Sequence, residues 1–110
     1  MDIRARDTDR ELLLEFSGEM DHHGARNALK EVEIAIDAAL PRSLILDFAG
    51  VTFMDSSGIG VLAGRYRKIS CFGGKVYVIH ANRRIRKILE MSGIGDIVEM
   101  IDQEEKIEKQ

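Results

Sequence analysis

The chain has 110 residues, 45% hydrophobic and 32% charged, and its 16 basic and 19 acidic residues leave a net charge of −3. That length suits one compact domain, residues 1–110, with its own core. The negative balance argues against nucleic acid or an anionic membrane as partner. The single cysteine, Cys71, excludes an internal disulfide and fits a reducing, cytoplasmic setting.

The start, Met1 to Arg6, lacks the apolar middle of a signal peptide, and no window is apolar enough to span a bilayer. Ile3 suggests a short first strand, with the charged run Arg4 to Arg10 containing the turn out of it. Glu11 to Ser17 carries Leu12, Leu13, Leu14 and Phe16, a strand expected to be dry on both faces and to end at Gly18. Asp21 is a good N-cap for a helix in which Ala25, Leu29, Val32, Ile36, Ala39 and Leu40 recur at steps of three and four, stopped by Pro41. Leu44 to Phe48 reads as a buried strand followed by a hinge at Gly50.

Asp55-Ser56-Ser57-Gly58 then opens a second helix, with Ile59, Leu62, Tyr66 and Ile69 at helical spacing and Gly73-Gly74 at its end. Lys75 to His80 is the next strand. Asn82 caps a third helix with Ile85, Ile88 and Leu89 inward, closed by Gly93 and Gly95, and Ile97 to Ile101 is a last strand. Asp102 to Gln110 reads as a short helix or tail. Strands alternating with helices imply an α/β sandwich of about four to five strands and about four helices, mixed where the first two strands pair antiparallel.

The chemistry concentrates at residues 55–60. Either Asp55 or Ser56 can cap the second helix. Ser57 then lies at the helix mouth, where free amides and the dipole tolerate an added phosphate, so modification adds charge without melting the fold. Capping alone would also account for both serines. A hydrolase elbow fails, because glycines do not flank Ser57 at two residues on either side, and no motif brings His22, His23 or His80 to it. Gly58, Gly60 and Gly64 miss the dinucleotide spacing by one residue, and no P-loop lysine follows. Gly58 and Gly60 instead clear the first turn for close approach of another protein, and Gly64 serves packing.

Asp21-His22-His23 lacks a third metal ligand at a useful interval. Arg83, Arg84, Arg86 and Lys87 fill the solvated face of the third helix, and Cys71 fits a small core position or a helix end.

Four blocks, Gly18-Glu19-Met20-Asp21-His22-His23, Phe53 to Gly60, Gly64-Arg65-Tyr66-Arg67 and Met91-Ser92-Gly93-Ile94, resemble the STAS-domain anti-sigma factor antagonists, most closely the sporulation type of spore-forming bacteria. The resemblance implies a regulator and not an enzyme, without a cofactor. Its unphosphorylated form would bind an anti-sigma factor that is also a serine kinase using ATP, and so release a sigma factor. Phosphorylation of Ser57 would end binding, and a serine phosphatase of the PP2C type would reset it. Asp21, Asp55, Ser56, Gly58, Ile59 and Gly60 would form the partner surface, with Asp21 near Ser57 and Ile59 as an exposed apolar anchor. The alternatives are a nucleotide-binding or nucleotide-hydrolysing domain at the same helix mouth, and an unswitched scaffold module.

Overall fold

The computed structural model describes residues 1–101. Five strands form one sheet in sequence order: β1 (Asp2–Thr8), β2 (Glu11–Met20), β3 (Ser43–Met54), β4 (Lys75–Ile79) and β5 (Glu99–Ile101). β1 pairs antiparallel with β2, and every later pairing is parallel. Helices α1 (His22–Ala39), α2 (Ser56–Ser70) and α3 (Arg83–Met91) connect the parallel strands or lead toward them, and a short 3-10 turn at Ile94–Asp96 precedes β5. These are three α-helices among the described residues. The expected tail helix, 102–110, lies outside them.

Pleating sorts the strand side chains between two clusters. Even-numbered residues Leu12, Leu14, Phe16, Leu44, Leu46, Phe48, Val76 and Val78 are buried with Ala28, Val32 and Ile36 of α1, Leu62 and Ile69 of α2, and Ile85 and Leu89 of α3. The rings of Phe16 and Phe48 meet edge to face, with centroids 5.5 Å apart. Ile45, Tyr77, Ile79 and Ile101 form a smaller cluster on the other face, joined by Leu13. β2 is therefore dry on one face only, since Glu11, Leu13 and Glu15 are half-buried.

Several element boundaries differ from expectation. β1 is seven residues long and includes Arg4 to Asp7; the turn is only Asp9-Arg10, both at positive φ. Charged side chains suit an edge strand exposed to water, so composition alone hid it. Gly18 does not end β2, and Gly50 does not hinge β3: both strands run on to Met20 and Met54 through register shifts. A Cβ at Gly50 would lie 2.8 Å from the Phe16 carbonyl oxygen, so glycine there permits close strand approach. α1 ends at Leu40, which takes a left-handed conformation (φ 46°) before Pro41 and donates its N–H to the Ile36 carbonyl at 2.8 Å.

Candidate functional site

The strand extensions build the site. Met20 and Met54 are partners in the β2–β3 ladder. The residue after each is a helix N-cap, so Asp21 and Asp55 stand about one strand spacing apart, ~5 Å, at the carboxyl edge of the sheet. Asp21 Oδ1 accepts from the Gly24 N–H at 2.8 Å, and Asp55 Oδ1 accepts from the Ser57 N–H at 2.9 Å. Asp55 is thus the cap of α2, and Ser56 is its first helical residue.

Ser57 sits half-buried on the α2 face turned toward α1, while Ser56 is exposed. Ser57 and His22, the residue after Asp21, line one groove between α1 and α2. The amides around Ser57 are less free than expected: besides the Ser57 N–H, those of Gly58 and Ile59 are directed at the Asp55 carbonyl, at 3.1 and 3.4 Å. The helix dipole remains, but few vacant donors do.

Three other expectations change. Gly58 is buried, and a Cβ there would lie 2.8 Å from Met54 Cγ and 2.9 Å from Met20 Sδ, so its glycine serves packing beneath the helix mouth. Gly60 is exposed with nothing within 4 Å of a Cβ, which leaves its side of the helix open; the same open space surrounds Gly64, so packing does not require that glycine. Ile59 is half-buried against the core and is not an exposed anchor. Phe53 fills that description, 42% exposed on the β3 extension beside Glu19. A phenylalanine in a strand reads as core, and only the register shifts that turn it outward reveal otherwise.

A groove of about 320 Å³ runs between α1 and α2 beside Ser57, with His22, Arg26 and Leu29 on one wall and Gly60, Val61 and Arg65 on the other. Larger depressions lie at the β1–β3 sheet surface near Arg4 and Asp47 and between α2 and β5 near Tyr66 and Glu99, away from Ser57. Further along the α1–α2 seam, Arg65 Nε lies 2.9 Å from Glu33 Oε1, and Lys68 Nζ bridges Glu33 and Asp37. Hydrogen bonds to Asp37 and Glu33 hold the Lys68 ammonium above its ordinary pKa.

The remaining candidates are placed as follows. The rings of His22 and His23 lie edge to face, 5.9 Å apart, and among the described residues no three metal-ligating side chains converge. His80 Nδ1 is 3.1 Å from Asp47 Oδ1, on the far side of β3 from Ser57's helix. Cys71 is exposed at the C-cap of α2, so it is a helix end and not a core residue. Among the described residues no helix is long and apolar enough to cross a membrane.

This geometry has close counterparts. An anti-sigma F factor antagonist of Paenibacillus polymyxa is 36% identical over 93 residues, covering 84% of this chain and 80% of the relative, and one of Lysinibacillus sphaericus is 28% identical over 98 residues, covering 89% and 84%. The solved structure of the anti-sigma factor antagonist SpoIIAA in its unphosphorylated form superposes with a TM-score of 0.82 at 27% identity, covering 98% of this chain and 95% of that one. The phosphorylated form of the Bacillus cell fate determinant SpoIIAA gives 0.73 at the same identity, covering 98% of each. The family pattern of the STAS domain matches residues 2–107, and the chain belongs to the STAS domain family.

Proposed function

We propose that this protein is an anti-sigma factor antagonist of the sporulation type, acting in the cytoplasm by binding and not by catalysis, and switched by phosphorylation of Ser57. The observation that carries the reading is a half-exposed serine in the first turn of α2, between two capped helix mouths and beside an open groove. The relatives named above, one of them solved in a phosphorylated form, support it. The partner is an anti-sigma factor with serine kinase activity that uses ATP, and a PP2C-type serine phosphatase removes the phosphate. Unphosphorylated protein occupies the anti-sigma factor and frees the sigma factor for transcription.

The switch follows from charge. Phosphate brings nearly two negative charges to a surface that already holds Asp21 and Asp55, and a partner docked there would meet and have to desolvate that added charge. Asp21, Asp55 and Ser56 frame the contact, Gly60 leaves it open, and Phe53 supplies apolar area beside it. Gly58 and Ile59 act from beneath by setting the helix against the core. The test is binding of Ser57→Asp and Ser57→Ala to the anti-sigma factor by calorimetry. Ser57→Ala should bind, and Ser57→Asp should lose at least about tenfold, about 1.4 kcal/mol. Equal affinities would overturn the electrostatic switch.

A further inference from the structure

Charge along the α1–α2 seam is unevenly matched. At its lower end the carboxylates of Glu33 and Asp37 face Arg65 and Lys68 in direct ion pairs. At its upper end Arg26 makes no ion pair among the described residues. Among the described residues its one side-chain hydrogen bond runs from Nη2 to His22 Nε2 at 3.3 Å, which requires that nitrogen of His22 to be unprotonated. The helix-to-helix offset that joins Glu33 to Arg65 brings Arg26 level with the first turn of α2, and Arg26 and Ser57 line the same groove.

A phosphate on Ser57 needs donors, and the helix mouth offers few. Asp55 already takes the Ser57 N–H with its carboxylate and the next two amides with its carbonyl. The nearby carboxylates, Asp55 and Asp21, repel a phosphate. The groove on the Gly60 side is open, with no atom within 4 Å of where a Cβ would stand. The cations facing that space are Arg26 and Arg65. Arg65 Nη1 is buried without a hydrogen-bond partner, while its Nε lies against Glu33.

We propose that phosphoserine 57 folds into the α1–α2 groove and is held there by the Arg26 guanidinium, with Arg65 adding positive potential from below. Arg26 supplies planar paired donors suited to phosphate, and phosphate supplies the counter-charge that Arg26 lacks. The phosphorylated protein is then a self-ligated state. In the unphosphorylated protein the same arginine and groove remain exposed.

This inference rests on Ser57 as the phosphoacceptor, but its test does not depend on a kinase. Phosphoserine is incorporated at position 57 during translation, and the phosphate is titrated by ³¹P NMR at near-physiological salt in the otherwise native chain, in Arg26→Ala, in Arg26→Lys and in Arg83→Ala. The nearby cation favours the dianion, so the second ionisation in the native chain should lie about half a unit or more below that in Arg26→Ala. Arg26→Lys should recover part of the difference, and Arg83→Ala, exposed on α3 and not lining the α1–α2 groove, should titrate like the native chain. Arg26 is exposed and its one side-chain hydrogen bond among the described residues is to His22, so Arg26→Ala should unfold at the native temperature before phosphorylation. Titration of Arg26→Ala coincident with the native chain, or an equal shift on Arg83→Ala, would overturn the assignment. A failure of the cell to phosphorylate Ser57 would leave this titration unchanged and would count against the proposed function alone.

Discussion

Replacing Gly58 and Gly60 by alanine, one at a time, separates two reasons for glycine in the first turns of α2. At 58 the new Cβ would stand 2.8 Å from Met54 Cγ and 2.9 Å from Met20 Sδ, on side chains that are 3% and 1% exposed. Both distances are inside van der Waals contact, so the methionines or the helix must move, an overpacking cost of about 1–3 kcal/mol. Alanine's better helix propensity offsets about 0.5–1 kcal/mol of it. The net loss is about 1 kcal/mol or somewhat more, a Tm lowered by about 4–8 °C per kcal/mol at this chain size. At 60 the Cβ meets nothing, so only the propensity term survives and Tm should rise by a few degrees. Thermal and urea unfolding measure both variants, and titration against the anti-sigma factor measures their binding. Gly60→Ala should be more stable yet bind more weakly, because its methyl projects into the open side of the helix mouth. Gly58→Ala as stable as the native chain would refute the packing role, and full-strength binding by Gly60→Ala would refute the access role.

Phe53→Ser should weaken anti-sigma factor binding by about tenfold or more while changing stability by less than about 1 kcal/mol, since the ring is 42% exposed; an unchanged Kd would remove Phe53 from the interface. The pH dependence is alkaline. Burial raises the Tyr77 phenol above its ordinary 10.0, with Glu99 and Glu11 adding to the effect, and hydrogen bonds to Asp37 and Glu33 raise Lys68 above 10.5. Both groups hold their proton more tightly folded than unfolded, so their contribution is fully present below the unfolded values and is lost as pH climbs through the folded ones. Lys68 lies at the surface, only partly buried, so its ion pairs are screened and it contributes the smaller share. The urea midpoint should fall above about pH 10; equal midpoints at about pH 8 and pH 11 would contradict the assignment.

The periodic elements were legible because their hydrophobic spacing is strong. α1 and α3 carry the caps expected of Asp21 and Asn82, and Asn82 Oδ1 accepts from the Ile85 N–H at 2.8 Å. The illegible parts are those where pairing overrides composition. β1 is a full edge strand despite its charge, and β3 continues through Gly50 by way of a register shift, where a neighbouring carbonyl requires the glycine. The roles of Gly58, Ile59 and Phe53 depend on which way a helix rolls against the sheet and on register shifts near Gly18, which spacing does not encode. Spacing assigns Gly24 no role, although a Cβ there would strike the Glu19 carbonyl oxygen. The repeated order of acid, two residues, glycine in Asp21 to Gly24 and Asp55 to Gly58 was the available signal.

That repeat explains why the proposed charge switch would sit here and not elsewhere on the fold. Adjacent parallel strands ending at paired Met20 and Met54 must start their helices side by side, and each helix needs an acceptor for its first amides, so two carboxylates become neighbours. The glycine in each first turn lets its helix sit down on the methionines or the β2 backbone, which fixes the height of the serine above the sheet. Ser57 is consequently half-exposed while its neighbour Gly58 and, one turn on, Leu62 are buried. A phosphate added at Ser57 changes the charge of an edge that the core does not reach, so the sheet and its packing have no reason to move. What changes is the balance among two fixed carboxylates, two helix ends and the arginines of the groove, and only a molecule docked at that edge would register it.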